Sequence, residues 1–212
     1  MIRFISLDMD GTLVNSRFVD KVWMEGMPRL YADRTGLDFR AAKEYVIGEY
    51  MKMGSDRLEW YDLKYWIEKF HLDVTKDELL EAFEDEIEIY PEVEEALDLL
   101  AENYELVVTS NAAREFIEIE LDGLSDYFRE TFSATSDFKE VKKSPVLYGA
   151  VCDHLGAKPI EVLHIGDHYS YDYEAPLEAG LDALFLDRKG LRNGREVVGD
   201  LREAAETICG CL

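Results

Sequence analysis

Two aspartates near the beginning of the sequence are the side chains best suited to chemistry. They belong to the segment Asp8-Met9-Asp10-Gly11-Thr12, which directly follows the apolar run from Ile2 to Leu7. The run has the apolar, partly β-branched composition of a buried strand, and Gly11 allows the backbone to turn sharply where that strand ends. A turn at this point can direct both carboxylates to one spot. The alternative is a strand-end turn with two solvated acids, and only the rest of the chain can decide between these interpretations.

Other polar clusters occupy equivalent positions further along the chain. Each follows a predicted strand: Ser110-Asn111 after residues 106–109, Lys142 a loop after 131–134, and Gly166-Asp167 after 162–165. Helical patterns separate these strands, and this alternation is typical of a parallel sheet covered by helices. The carboxyl ends of parallel strands lie at one edge of the sheet, where such folds place their sites. We therefore expect the clusters to meet at that edge.

Electrostatics predicts a cation at the same edge. Two like charges about 4 Å apart near a protein surface repel each other by about 4 kcal/mol. Bringing Asp8, Asp10, Asp167 and Asp172 into one pocket adds several such repulsions, and Lys142 alone cannot cancel them. A divalent cation can.

The predicted fold class is α/β, with a Rossmann-like parallel sheet core wrapped by helices and an inserted all-helical cap domain. From residue 16 to residue 87 one helical pattern follows another, and apolar side chains in residues 63–70 recur at i, i+3, i+4 and i+7. We therefore assign residues 1–15 and 88–212 to the core domain and residues 16–87 to the helical cap domain.

Composition excludes several classes of partner. The formal net charge of -23 disfavours nucleic acids and anionic membranes, because both reward clustered basic residues. No apolar stretch is long enough to span a membrane, and no signal peptide is expected before Ile2. The three cysteines, Cys152, Cys209 and Cys211, are an odd number without metal-finger spacing, which favours a reducing, cytoplasmic location. We expect a monomer or a small homo-oligomer that binds a small molecule.

Together the motifs resemble those of the haloacid dehalogenase (HAD) superfamily, in particular its phosphatases with a helical cap inserted after the first motif. The resemblance rests on Asp8-Met9-Asp10-Gly11-Thr12, Ser110-Asn111, Lys142 ahead of Ser144-Pro145, and Gly166-Asp167 with Asp172 five residues later. These motifs stand in the family's order and spacing from Ile2 to roughly Asp187. The cap segment matches only in size and helical character.

The resemblance implies a Mg²⁺-dependent phosphatase that hydrolyses a small phosphate monoester through an aspartyl-phosphate intermediate. Asp8 is then the nucleophile, and Asp10 is the general acid for the leaving oxygen and afterwards the base for the attacking water. Lys142 balances charge on the nucleophile and the phosphate.

The resemblance also assigns the remaining site residues. The predicted phosphate-binding residues are Thr12, Ser110, Asn111 and Lys142. The predicted magnesium ligands are Asp8, Asp10 through its carbonyl, Asp167, and Asp172 as outer-shell support. Hard oxygen ligands of this kind suit Mg²⁺.

Three positions remain open at this stage. Lys143 competes with Lys142, which is favoured because a following proline and aromatic residue then take the family's positions. Asp172 could instead be a plain acid at the start of a helix. His168 stands where the family has a small hydroxyl residue, so it is either a site residue or an exposed loop histidine.

Other functions are compatible with parts of the pattern. A haloacid dehalogenase uses the same nucleophile but lacks an acid at the position of Asp10, and a sugar phosphomutase would use the same motifs. A non-enzymatic phospho-acceptor or scaffold is the alternative from another class. Signalling receiver domains of that class are shorter, lack a large helical insert, and carry their acceptor on a middle strand.

The helical segment is expected to act as a lid that admits small phosphate monoesters, such as phosphorylated sugars or short organic acids. The candidates for steering such a ligand are the basic cap residues Lys21, Lys52, Arg57 and Lys64.

Overall fold

A computed structural model describes residues 1–210, so Cys211 and Leu212 lie outside the described residues. Its centre is a six-stranded sheet in the order β3-β2-β1-β4-β5-β6, with every neighbouring pair parallel. The strands are β1 Phe4–Leu7, β2 Glu105–Ser110, β3 Phe128–Ser133, β4 Val162–Gly166, β5 Asp182–Leu186 and β6 Val197–Val198. The predicted parallel α/β core is confirmed. The two-residue strand β6 was not predicted, because it is too short to show a periodic pattern.

Strand β1 lies at the point where the strand order reverses. It pairs with β2 on one side and with β4 on the other, and Leu7 lies opposite both Val108 and Ile165. A crevice forms outside the carboxyl ends of the strands at such a reversal, and this is where open α/β sheets bind ligands. The residues that follow β1 and those that follow β4 therefore lie at the same crevice.

Helices cover both faces of the sheet. They are α6 Val93–Ala101, α7 Arg114–Glu120, α8 Pro145–Leu155, α9 Ala175–Glu178 and α10 Leu201–Cys209. One apolar cluster joins the Ile5 and Leu7 face of β1 to α6 and α10, and a second joins Phe4 and the other face to α8. Because successive side chains of a strand point to opposite faces, burial on both faces favours the apolar residues that make up most of β1, and its one polar residue, the buried Ser6, donates a hydrogen bond to Thr109 Oγ1 over 2.9 Å.

Residues between β1 and α6 are helical. The α-helices are α1 Arg17–Lys21, α2 Met27–Thr35, α3 Phe39–Met53, α4 Leu63–Lys69 and α5 Lys76–Glu81, with a π-helical turn Val22–Gly26 between α1 and α2. Helix α5 begins at a capping box between Thr75 and Glu78. Most of a third apolar cluster comes from this segment, including Trp66 and Phe18, and only Ala113 and Phe116 among its buried members come from the core.

The chain passes from the core to the helical segment after Val14 and returns to the core before Ile89, and these two crossings are joined to each other. Val14 and Ile89 form an antiparallel bridge, and the backbone N–H of Asn15 donates to the Glu88 carbonyl over 3.0 Å. The Asn15 amide also donates to the Glu88 carboxylate over 2.7 Å. We therefore propose residues 16–87 as a cap domain whose boundaries lie at this pair of crossings. Among the described residues, none of the helices has the length and apolar character needed to span a membrane.

Candidate active site

The turn of residues 8–12, called here the aspartate loop, leaves β1 and reverses sharply. The backbone N–H of Gly11 donates to the Val14 carbonyl over 2.7 Å. Gly11 has a φ of +82°, and a Cβ at this position would overlap the Asp167 carboxylate. Glycine is therefore required at position 11 for two reasons: the left-handed backbone, and the close approach to the loop of Asp167, which follows β4.

Asp8 is buried against a lysine. Its Oδ1 accepts a hydrogen bond from Lys143 Nζ over 2.5 Å, and both residues are almost completely buried. The same ammonium lies 2.5 Å from Asp172 Oδ1 and donates to the Thr109 carbonyl over 3.2 Å. Burial raises the pKa of Asp8 well above its ordinary value, the Asp172 charge raises it further, and Lys143 opposes both. One ammonium thus serves two buried carboxylates.

The assignment of Lys142 to this position is wrong. Lys142 is partly exposed, and its Nζ lies 5.7 Å from the centre of the Tyr171 ring. Two contacts orient its neighbour instead: the Lys143 backbone N–H donates to Asn111 Oδ1 over 2.8 Å, and Ser144 follows as the N-cap of α8. Adjacent residues entering a helix point to different sides, so only one of the two lysines can face Asp8.

Asp172 is held by groups of the protein on both oxygens. Its Oδ1 also lies 3.2 Å from His164 Nε2, and its Oδ2 accepts a hydrogen bond from the His168 backbone N–H over 2.8 Å. His164 is itself buried, with Nδ1 2.9 Å from Ser6 Oγ. Burial raises the pKa of Asp172, but the charge of Lys143 and the contact with His164 outweigh it and hold that pKa below its ordinary value. Asp172 is an ionised internal carboxylate and not a solvated helix-start acid.

His168 contributes to this arrangement through its backbone. Its ring is exposed and stacks on Tyr171, with ring centres 3.9 Å apart and planes 12° apart. Of the two interpretations left open for this residue, the exposed loop histidine fits its position.

Three aspartates form a group with the dimensions of a metal site. Carboxylate oxygens of Asp8, Asp167 and Asp172 lie within 4.8 Å of one another. Asp167 is the most exposed of the three, and partial burial followed by the Asp172 charge raises its pKa. The donor set is oxygen-rich and negatively charged, which fits Mg²⁺. The Asp10 side chain is not part of this group, so its predicted place in the metal set would depend on its carbonyl.

Asp10 and Thr12 of the aspartate loop each carry a buried oxygen without a partner in the described part of the chain. Asp10 Oδ1 and Thr12 Oγ1 are buried and have no hydrogen-bond partner among the described residues. Burial, and then the charge of Asp167, raise the pKa of Asp10 to about 7. A carboxyl group with such a pKa can both give up and accept a proton near neutral pH.

The residues that end β2 line the other side of the loop. Ser110 is buried, and its Oγ accepts a hydrogen bond from the Ala112 backbone N–H over 3.1 Å. A hydroxyl oxygen that accepts in this way keeps its O–H available to donate. Asn111 instead supports the site through Lys143, whose backbone it orients.

Arg188 is a site-supporting residue that the sequence interpretation missed. Its Nε donates to the Gly11 carbonyl over 2.9 Å, and an Nη donates to the Thr12 carbonyl over 2.7 Å. The guanidinium also pairs with Glu92 at 2.6 Å and lies 3.6 Å from the centre of the Tyr90 ring. Arg188 comes just after β5, so the rule that strands deliver site residues at their carboxyl ends could have found it.

Glu120 is a second residue that the sequence did not reveal. It is fully buried at the end of α7, and neither carboxylate oxygen has a hydrogen-bond partner among the described residues. Burial, and then the charges of Asp10 and Asp8, raise the pKa of Glu120 to about 10. A buried carboxyl group without a partner is kept neutral.

Fold and site together define an α/β protein whose chemistry rests on a cluster of aspartates at the reversal point of a parallel sheet. The chain belongs to the haloacid dehalogenase-like hydrolases, whose family pattern matches residues 2–180. It is therefore a hydrolase, as predicted.

Comparison with individual proteins agrees with this family. The chain is 29% identical to the GMP/IMP nucleotidase YrfG of Escherichia coli K12 over 168 residues, which cover 77% of this chain and 73% of that protein. It is 26% identical to the (S)-2-haloacid dehalogenase 4A of Burkholderia cepacia over 133 residues, which cover 60% of this chain and 57% of that protein.

Solved structures share the fold over the whole chain. A HAD phosphatase from Thermococcus onnurineus superposes with a TM-score of 0.82 at 24% identity, covering 99% of this chain and 98% of that one. The L-2-haloacid dehalogenase from Xanthobacter autotrophicus superposes with a TM-score of 0.63 at 18% identity, with all of both chains covered.

Proposed function

We propose that this protein is a Mg²⁺-dependent phosphatase that hydrolyses a small phosphate monoester through an aspartyl-phosphate intermediate. The observation that carries the proposal is the position of Asp8, which is in contact with Lys143 and close to Asp167 at the end of the first strand. The nucleotidase relative supports a phosphate ester as the substrate.

The residues divide the reaction between them. A carboxylate oxygen of Asp8 attacks phosphorus, the bond from phosphorus to the ester oxygen breaks, and Asp10 gives its proton to the leaving oxygen. Asp10 then takes a proton from a water molecule that attacks the aspartyl-phosphate, which releases phosphate and restores Asp8. Lys143 partly neutralises the nucleophile, and the Ser110 hydroxyl can donate to a phosphoryl oxygen.

Asp8, Asp167 and the carbonyl of Asp10 would hold Mg²⁺, with Asp172 in the supporting position that its internal hydrogen bonds suit. When bound, the ion supplies positive charge that favours the ionised forms of these carboxylates and draws the phosphate oxygens to them. We further propose a cytoplasmic location, which rests on the cysteine content.

The dehalogenase relative supplies a second candidate reaction, the hydrolysis of a carbon–halogen bond. Asp10 argues against it, since displacement of a halide requires no proton donor. The raised pKa of this carboxyl group suits an alkoxide leaving group instead.

The decisive experiment measures three things on the purified chain. Hydrolysis of p-nitrophenyl phosphate should require Mg²⁺, acid quenching during turnover should yield a phosphorylated peptide containing Asp8, and 2-chloropropionate should release no chloride. Turnover undiminished in excess chelator, or phosphate on another residue, would contradict the proposal. Chloride release without phosphatase activity would establish the dehalogenase reaction.

A further inference from the structure

A cavity of about 150 Å³ lies between the aspartate loop and the cap. Asp10 lines it from the core, and Trp23 and Tyr61 line it from the cap. If Asp10 protonates the leaving oxygen, as proposed above, the group attached to that oxygen faces this cavity. A second cavity of about 230 Å³ shares Val19, Trp23 and Tyr61 as walls. In the first cavity the leaving group meets cap side chains and, on the core side, Asn111 and Phe116, whereas the lining of the second cavity comes from the cap.

Each of the two cavities has aromatic rings in its walls. Trp23 stacks on Phe116 of the core with ring centres 6.1 Å apart and meets the edge of Tyr50 at 5.7 Å. Trp60 lies against Tyr50 at 6.1 Å in the second cavity. Rings arranged in this way favour a further ring in an offset or edge contact.

The tyrosine hydroxyls of these walls are already engaged inside the cap. The Tyr61 hydroxyl donates to the Ser55 carbonyl over 3.2 Å, and the Tyr50 hydroxyl donates to the Trp23 carbonyl over 3.5 Å. A ligand with several hydroxyl groups would exchange water for few hydrogen bonds here, and burying such groups without partners is costly.

The charges around the cavities are negative. Asp10 and Asp20 are the charged residues in the described lining of the two cavities. Asp20 accepts a hydrogen bond from the neutral Ser16 hydroxyl over 3.2 Å. An anionic group bound there would be repelled by Asp20 without a basic side chain to offset it.

The basic cap residues expected to steer an anionic ligand are engaged elsewhere. Each is paired with a glutamate: Lys21 with Glu25 at 2.9 Å, Lys52 with Glu49 at 2.6 Å, Arg57 with Glu59 at 2.8 Å and Lys64 with Glu68 at 3.9 Å. None of them lines either cavity. The expectation of short organic acids as leaving groups therefore has no support in the cap.

We propose that the paired cavities form a leaving-group pocket that accepts an uncharged aromatic alcohol and rejects an anionic or polyhydroxylated one. The proposal rests on the phosphatase function and defines its substrate class. Trp23 and Tyr61 supply the contact surface, and Asp20 supplies the charge discrimination. A phosphomonoester whose alcohol carries a planar ring close to the ester oxygen fits this description.

The test uses matched substrates. Benzyl phosphate and 4-carboxybenzyl phosphate differ in one anionic group, which the methylene insulates from the ester oxygen, and glycerol 3-phosphate supplies a polyhydroxylated comparison. We expect kcat/KM for benzyl phosphate to exceed each of the other two by about tenfold, the size of one unscreened like charge or one lost ring contact. Equal values for benzyl and 4-carboxybenzyl phosphate would overturn the proposal.

Variants assign the effect to residues. Asp20→Lys should raise the relative kcat/KM for 4-carboxybenzyl phosphate, and Trp23→Ala should lower kcat/KM for benzyl phosphate more than for glycerol 3-phosphate. Tyr45→Ala is the matched cap control, because Tyr45 is exposed and stacks on Tyr31, away from both cavities. If Trp23→Ala fails to fold in a thermal melt, Tyr61→Leu replaces it with the same expectation. Unchanged ratios in the Asp20 and aromatic variants would overturn the pocket assignment.

The two proposals fail in different ways. A wild-type chain that hydrolyses none of the three esters with Mg²⁺ contradicts the phosphatase function. A chain that hydrolyses all three with similar efficiency keeps that function and contradicts only the pocket.

Discussion

The residues at the carboxyl ends of the strands and those of the leaving-group pocket are held in place by different interactions. At the carboxyl ends of the strands, buried charged groups contact one another: Lys143 contacts Asp8 and Asp172, and Asp172 contacts His164. In the leaving-group pocket, aromatic rings such as that of Trp23 pack on one another. Under the two proposals, chemistry depends on hydrogen-bonded positions at the carboxyl ends of the strands, whereas selectivity depends on the shape and charge of packed cap side chains. The variants below test whether the two regions separate in this way.

Asp8→Asn should have the largest effect. It removes the charge of the proposed nucleophile but keeps its shape, so we expect turnover of p-nitrophenyl phosphate to fall by about a thousandfold or more. The melting temperature should not fall, because burial of the charged Asp8 and its repulsion by Asp172 outweigh its contact with Lys143. Asp126→Asn, at an exposed position, is the control. A variant that kept a tenth of normal turnover would remove Asp8 from the chemistry.

Lys143→Met and Lys142→Met form a matched pair that separates the two adjacent lysines. Removing Lys143 leaves two buried carboxylates without their cation, so we expect about a hundredfold lower kcat and about 3 kcal/mol lower unfolding free energy. Lys142→Met should change unfolding free energy by no more than about 0.5 kcal/mol, as surface substitutions do. Urea unfolding and steady-state kinetics measure both. The opposite ranking of the two lysines would show that the contact with Asp8 does not exist in solution.

Magnesium binding should stabilise the sheet edge and not the cap. A ligand that binds only the folded state, present at 100 times its dissociation constant, adds about 2.7 kcal/mol to the unfolding free energy. We expect Mg²⁺ to raise the melting temperature of the wild type and to have little effect on Asp167→Asn. Asp20→Asn, in the cap, should keep the full magnesium response. A response retained by Asp167→Asn would place the ion elsewhere.

Glu120 should make stability depend on pH. Its folded-state pKa of about 10 lies above the unfolded value, so the folded state holds a proton that the unfolded state releases above about pH 4.3. The contribution of Glu120 to stability is therefore fully present below that pH and is lost as the pH rises towards 10. In Glu120→Gln this part of the fall is absent, so between pH 5 and 9 we expect the variant to lose several kcal/mol less unfolding free energy than the wild type, up to about 1.4 kcal/mol for each pH unit. Parallel pH curves for the two proteins would show that Glu120 is not buried without a partner.

Arg188→Ala should have the smallest effect. The guanidinium fixes two carbonyls of the aspartate loop but touches neither proposed catalytic carboxylate. We expect about a tenfold loss in kcat with KM nearly unchanged, because a displaced loop misaligns groups that act in the transition state. Lys189→Ala, the exposed neighbour, is the control. A change in KM alone would assign Arg188 to substrate binding.

The sequence was most informative where local pattern and chemistry coincide. Apolar runs that end in Asp8, Ser110 and Asp167 predicted both the parallel sheet and the edge at which these residues meet. It failed between Lys142 and Lys143, because the direction of two adjacent identical side chains depends on one hydrogen bond to Asn111, which is distant in sequence.

Other residues left no local signal to read. Arg188 binds backbone carbonyls, and carbonyls are present at every position, so no spacing marks the contact. The leaving-group pocket depends on how the cap helices cross, whereas helical periodicity in the sequence shows only which face of each helix is apolar. Trp66 is buried in the cap core and Trp23 reaches the cavity, yet both lie on similar apolar stripes.

The bridge between Val14 and Ile89 has a consequence for how such a protein can change. Because the two crossings lie side by side, the ends of the core on either side of the cap already meet, and closing that gap demands little chain entropy. The sheet can therefore keep its register when residues 16–87 change. Insertions, deletions or replacement of this segment would alter the cap, and with it the proposed leaving-group pocket. Changes to the cap can therefore leave the strands and the residues at their carboxyl ends in place.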